Sequence, residues 1–228
     1  MRTRVLFLNA AILLAAGVAN AGSMAMPGIG GGEYSVPVTS LKESRFLATL
    51  RQQYDFSCGS AAVATLLTHH YDYPITEQAV FEEMYAQGDQ QKIRKEGFSL
   101  LDMKRFLEGR GFQADGFEKT LDDLKNAKLP AIALIKENGY FHFIVIKGVQ
   151  DGRVLIGDPA QGTRAIPRSR FEALWVNRLL FVIHNRQELA QFNGAKDWRV
   201  APKAPINTGV NRDGLGNVTL PKFGPGDF

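Results

Sequence analysis

A chain of 228 residues, 45% of them hydrophobic, is long enough for one substantial domain and short for two well-packed ones. Its 27 Lys and Arg against 23 Asp and Glu leave a formal charge of +4, too balanced for a nucleic-acid binder. A single cysteine excludes an internal disulfide framework, and no cluster of ligands stands at metal-binding spacing, so neither metal nor cofactor is expected.

The chain opens with MRTRVLFLNAAILLAAGVANA, where Arg2 and Arg4 precede an apolar run from Val5 to Val18 and small residues occupy Ala19 and Ala21. The pattern reads as a secretory signal peptide over residues 1–21, cleaved after Ala21, which places the mature protein in the periplasm. The alternative is an uncleaved anchor, for which the apolar run is short; no other segment is suited to crossing a bilayer. Residues 22–44 read as a Gly-rich linker. Gly28 to Gly32 follow no strand signal and so do not make a phosphate-binding loop, although a glycine run near the mature N-terminus raises self-processing.

From Cys58 to Leu67 the run CGSAAVATLL, all helix formers and small apolar residues, predicts a buried helix beginning near Cys58. Thr76 opens an amphipathic helix ending at Gly88, and Ser99 with Asp102, then Thr120 with Asp123, carry N-terminal capping signatures. The second half changes character. PAIALIKE, YFHFIVIKGVQ, RVLIGDPA, TRAI and LLFVIH are strand-like runs, with hairpin turns at Asn138-Gly139 and Asp151-Gly152. Helices first and strands afterwards argue for an α+β domain over residues 45–190, with N-terminal helices packed on an antiparallel sheet. Residues 191–228, rich in Gly, Pro and Asn, read as an extended tail.

An exported compartment favours disulfides, and Cys58 has no partner in its own chain. It is therefore a buried small hydrophobe, an intermolecular link or a reactive thiol. The first turn of a helix favours a thiolate, and Gly59 lets backbone approach a substrate carbonyl. A thiol nucleophile needs a base from among His69, His70, His142 and His184. His69 and His70 lie about three turns along the same helix, too far to touch Cys58, and His184 ends the last strand as a surface candidate. His142 interrupts the apolar run YFHFIVI, where a hydrophobe is normal; it is either a hydrogen-bonded core histidine or the base.

Asp158 ends the following strand and is placed either to orient the imidazole or to serve turn chemistry before Pro159. A two-residue turn at Asp151-Gly152 would set Asp158 opposite Val145, on the other face from His142. A triad therefore requires a register changed by one residue, through a longer turn or a bulge. Gln52 or Gln53, just upstream of Cys58, has the side-chain amide to join the Cys58 N–H as an oxyanion donor; a surface Gln is the ordinary alternative.

In this order, Gln, Cys, His, Asp, the chain resembles the C39 peptidases, papain-like cysteine proteases known for removing double-glycine leader peptides in bacteriocin export. That family has a Gln six residues before the Cys, a Cys-Gly pair opening the helix, and a His about sixteen positions before an Asp-Pro; Gln52, Cys58-Gly59, His142 and Asp158-Pro159 match. The resemblance covers roughly residues 45–185 and assigns the oxyanion role to Gln52 rather than Gln53. Transporter-fused members carry Asp where this chain has Ser57 and continue into membrane helices and an ATPase. The segment DFSCG looks more like stand-alone exported members, some encoded with outer-membrane export systems for functional amyloid.

The expected function is an exported cysteine peptidase acting on another exported protein or peptide, with a Gly-Gly-like site and an outer-membrane secretion apparatus as expectations the resemblance supplies. The alternatives are a C39-like module that binds an exported peptide without cutting it, and amide chemistry on peptidoglycan.

Overall fold

The computed structural model describes residues 23–27, 33–37 and 39–202. The expected signal peptide, the Gly28–Gly32 run and the part of the expected tail beyond Pro202 lie outside the described residues. The chain divides into a unit ending at Ser40 and a unit from Leu41 onwards. In the first, β1 (Ser23–Pro27) and β2 (Glu33–Pro37) pair antiparallel, with Met24 opposite Val36 and Met26 opposite Tyr34. A linker is the reading that composition alone supports there. The two strands pair because SMAMP and EYSVP alternate in phase, a period-2 signal diluted by the flanking glycines.

The second unit runs α1 (Leu41–Ser44), α2 (Cys58–His70), α3 (Glu77–Gln87), α4 (Gln90–Glu96), α5 (Leu100–Glu108), β3 (Ala114–Glu118), α6 (Leu121–Ala127), β4 (Ala131–Glu137), β5 (Tyr140–Gln150), β6 (Arg153–Asp158), β7 (Gly162–Pro167), α7 (Arg168–Leu174), β8 (Leu179–Ile183) and α8 (Ala195–Trp198). The six strands form one antiparallel sheet in the order β3-β8-β4-β5-β6-β7. Helix α2 is buried from Cys58 through Leu67 and packs with Met103, Phe106 and Leu107 of α5 onto the sheet residues Ile132, Val145, Phe181 and Ile183. A helix covered on all sides has no polar stripe, which is why CGSAAVATLL lacks helical periodicity. A second core, from Leu121 and Leu124 to Phe171 and Trp175, covers Ala131, Ile135, Ile144, Ile146 and Ile156.

The local signals in the sequence produce the expected elements. Ser99 with Asp102 and Thr120 with Asp123 are reciprocal capping boxes, and Thr76 caps α3 through the Ala79 N–H. Asn138 and Gly139, and Asp151 and Gly152, all have positive φ, as tight two-residue hairpin turns require.

Other elements lie outside those expectations. Strand β3, ADGFE, contains Gly and two acids and becomes a strand because β8 offers it a backbone partner. Helix α7 has no side-chain cap, whereas α4 is capped by Asp89, which accepts the Gln91 and Lys92 N–H groups, and ends at Gly97 with positive φ, local signals that are legible in the sequence. The expected tail also begins too early: the Gln191 N–H reaches the His70 carbonyl, the Asn193 N–H reaches the Lys147 carbonyl, and Arg153 donates to the Ala201 carbonyl. Side-chain docking of Asp197 and Trp198, rather than composition, sets this boundary. Among the described residues, no helix is long and apolar enough to cross a membrane.

Candidate active site

Cys58 is the first residue of α2, and its side chain is almost enclosed. Ser57, at the N-cap, does not cap the helix; its hydroxyl lies 3.1 Å from both the N–H and the carbonyl of Tyr54. The first-turn amides of α2 are therefore left without a side-chain acceptor, and the positive end of the helix acts on the thiol. The loop before Cys58 is braced by rings, Tyr54 lying 5.6 Å from Phe56 and 4.8 Å from Phe81 between centroids.

His142 stands on β5 opposite Ile135. Its Nε2–H donates to Asp158 Oδ1 at 2.8 Å, which leaves Nδ1 for the thiol. Burial presses the imidazole toward neutrality, but hydrogen bonds to Asp158 and to Cys58, with the charges of both, outweigh it and raise His142 from 6.5 to about 9. The group is thus a cation at neutral pH, paired on either side.

Asp158 ends β6 with no exposed surface. Its Oδ1 accepts from His142, from the Ala160 N–H at 2.9 Å and from the Gln161 N–H at 3.1 Å, while Oδ2 accepts from Arg164 at 3.1 Å. Burial pushes this carboxyl up; the hydrogen bond and charge of His142, the Ala160 amide and Arg164 together outweigh it and hold Asp158 below the usual carboxylate range. Both readings of Asp158 apply, because the same oxygen that meets His142 also closes the turn after Pro159.

The register difficulty is resolved by a bulge. The β5–β6 hairpin starts as a two-residue turn dictates, with Gln150 opposite Arg153 and Gly148 opposite Leu155, and then shifts so that Ile146 faces Ile156 and Val145 faces Gly157. Lys147 is the extra residue. Continued one step, this register sets Asp158 opposite Ile144, two residues from His142 and on its face.

Gln52 is tied to the same corner, since its backbone N–H donates to the Pro159 carbonyl at 3.1 Å. Its Nε2 donates to the Tyr54 carbonyl at 3.0 Å, and Oε1 is buried without a partner. A primary amide has two N–H groups, so one orients the side chain on Tyr54 and the second remains to be offered. Gln53 instead lines a surface cleft with Thr68, Pro74 and Ile75.

Of the other histidines, His70 Nδ1 meets the Gln191 carbonyl at 2.7 Å and His184 meets Asp115 at 2.9 Å, while His69 Nε2 is buried without a hydrogen-bond partner. Two residues at the site escape sequence reasoning: Arg164, which bridges Asp158 to Glu137 at 2.7 Å, and Glu137 itself. The available signal is a lone Arg inside the strand run TRAI, six residues beyond Asp158.

Helices that bring a thiol to the edge of an antiparallel sheet, where strands carry the imidazole and carboxylate, define a papain-like cysteine peptidase. Comparison with known proteins gives the family: residues 47–187 match the Peptidase C39 family, and the chain belongs to it. It is 40% identical over 183 residues to the "Probable functional amyloid protease FapD" of Pseudomonas aeruginosa, covering 80% of each chain. It is also 34% identical over 134 residues to the "Lactococcin-G-processing and transport ATP-binding protein LagD" of Lactococcus lactis, covering 57% of this chain and 18% of that protein. The solved peptidase domain of Streptococcus ComA shares the fold, with a TM-score of 0.51 at 20% identity over 60% of this chain and 97% of that domain.

Proposed function

We propose that this C39 peptidase is exported to the periplasm by its N-terminal signal peptide and cleaves an extended segment of another exported protein, with Cys58 as nucleophile. The observation that carries the reading is His142, hydrogen-bonded through Nε2 to the buried Asp158 and raised to about 9 by Asp158 and Cys58 together. The thiol, the imidazole and the buried carboxylate thus stand in the order that nucleophilic thiol catalysis requires.

In this mechanism the Cys58 thiol proton resides on His142, and the thiolate attacks the scissile carbonyl. The Cys58 N–H and the second N–H of Gln52 receive the oxyanion. His142 then gives its proton to the departing amine, the C–N bond breaks, and an acyl-enzyme remains. Water, deprotonated by His142, hydrolyses the thioester, and sulfur leaves as the thiolate beside protonated His142, as at the start. Asp158 keeps its negative charge throughout and holds the ring in place.

Similarity to the probable functional amyloid protease FapD directs the search for substrate to functional-amyloid proteins, and a Gly-Gly-like site is the first to examine.

The experiment is mass spectrometry of co-exported proteins, and of this protein, from cells carrying wild type or Cys58→Ala. A product that disappears in the variant names the scissile bond. Identical products, with any phenotype rescued equally by both forms, would favour a binding module that does not cut.

A further inference from the structure

Lys147, the residue that the bulge adds to β5, has no exposed surface. Its Nζ donates to the Ala48 carbonyl at 2.7 Å and to Asp197 Oδ1 at 2.8 Å, and Asp197 is itself buried. Thr163 Oγ1 lies at 3.4 Å as a weaker third acceptor. A buried ion pair desolvates two charges and is a poor source of stability. Its placement at the irregularity of the sheet therefore calls for another reason.

The backbone of the bulge is held from the same side. The Lys147 carbonyl accepts the Asn193 N–H at 2.9 Å, and Asn193 Nδ2 donates to the Val149 carbonyl at 3.3 Å. Gly148 makes this approach possible, since a Cβ there would stand 2.3 Å from Asn193 Oδ1. Upstream, the Gln191 N–H bonds to the His70 carbonyl at 2.9 Å. Residues 191–198 form a strap across the bulge, gripping both its main chain and its side chain. The strap lies wholly beyond residue 187, where the match to the family ends.

The bulge decides on which face Asp158 falls. Were the Gln150–Arg153 pairing to run on without it, Asp158 would stand opposite Val145 and point away from His142, because a one-residue slip reverses every side chain beyond it. We propose that the strap from Gln191 to Trp198, through the Asp197–Lys147 pair, is a positioning element of the active site that fixes the β5 bulge and so keeps Asp158 in phase with His142. Asp197 and Lys147 touch no substrate; they act through the register. The activity arm of this inference rests on the peptidase reading above, whereas its structural arm does not.

The test uses the full chain with Asp197→Asn, Asp197→Glu and the double variant Lys147→Met with Asp197→Leu. Two readouts are followed: the NMR signal of the His142 ring proton bonded to Asp158, and kcat against KM on a peptide that wild type cleaves. Asp197→Asn is expected to lose or displace the ring-proton signal and to lower kcat by about 10²-fold at unchanged KM, the cost of misplacing a catalytic group by about 1 Å. Asp197→Glu restores the charge and is expected to recover much of both. If Asp197→Asn does not fold, the double variant serves, since apolar replacement of a buried pair preserves stability; it is expected to show the same two losses. A folded variant lacking the pair that keeps the wild-type signal and kcat overturns the proposal. The ring-proton signal needs no substrate, so a strap that proves necessary for it in a protein that cleaves nothing would leave this inference standing and remove the peptidase reading.

Discussion

Asp158→Asn tests the electrostatic core of the site. Asp158 Oδ1 takes three hydrogen bonds and Oδ2 one, so the oxygen of an Asn is drawn to the His142 side and its NH2 is turned toward Arg164, donor against donor. His142 then keeps an acceptor but loses the charge that supports its imidazolium. The rise from 6.5 to about 9 amounts to about 3 kcal/mol in favour of the cation, at about 1.4 kcal/mol per tenfold change. Asp158 and Cys58 share that preference against the opposing effect of burial, so removing the carboxylate charge removes a large part of it. Two measurements follow it: NMR titration of the His142 Cε1–H, and the rate of Cys58 alkylation by iodoacetamide at pH 6.5, which reads the thiolate fraction. The variant is expected to titrate well below 9 at His142 and to alkylate more slowly at Cys58. His69 and His70, both held down to about 4 chiefly by burial, titrate in a separate range and do not obscure the signal. A variant that still titrates near 9 and alkylates at the wild-type rate would refute the claim that Asp158 sustains the ion pair.

Gln52→Ala removes the side-chain donor of the proposed oxyanion site and is expected to lower kcat by about 10²–10³-fold with KM little changed, checked by steady-state cleavage of a peptide that wild type cuts. Gly59→Ala places a Cβ 2.9 Å from both Phe98 Cβ and Met103 Cε, and the phenylalanine Cβ is not free to retreat. Overpacking of this kind costs about 1–3 kcal/mol, read as a lower Tm with Cys58 displaced from His142. Thermal stability should also depend on pH in both directions. His142, raised to about 9, contributes stability that is complete below 6.5 and lost as the pH climbs through 9, whereas His70, lowered to about 4, contributes stability present above 6.5 and lost as the pH falls toward 4. Tm against pH for His142→Gln is therefore expected to lose the decline between pH 6.5 and 9 while keeping the acid decline; an unchanged alkaline limb would contradict the assignment.

Most of the fold is written in local signals. The capping residues Thr76, Ser99 and Thr120 and the Asn138-Gly139 and Asp151-Gly152 turns each act within a few residues of themselves, and each produces the element it announces. Cys58 and His142 are legible for a different reason: a thiol at a helix start and a polar ring inside an apolar strand are anomalies at their own positions. What sequence does not show is anything set by a distant partner. β3 is a strand because β8 is beside it, and Arg164 belongs to the site only because the sheet brings it onto Asp158 Oδ2 and Glu137.

The β5 bulge is the sharpest case of this limit. Counting from the Asp151-Gly152 turn gives the first three pairs of the β5–β6 ladder correctly and would then put Asp158 on the wrong face, so local rules alone argue against the site that the chain builds. The residue that reverses the result is Lys147, a lysine in the middle of YFHFIVIKGVQ, as out of place by burial as His142 is by polarity. Its counter-charge, Asp197, lies 50 residues away in a stretch whose composition resembles a tail. A charged residue inside an apolar strand is costly unless paired, so such a lysine asks for a buried acid somewhere in the chain. Together, the two misfits in one strand, His142 and Lys147, mark the imidazole of the candidate site and the irregularity that gives the ring its carboxylate.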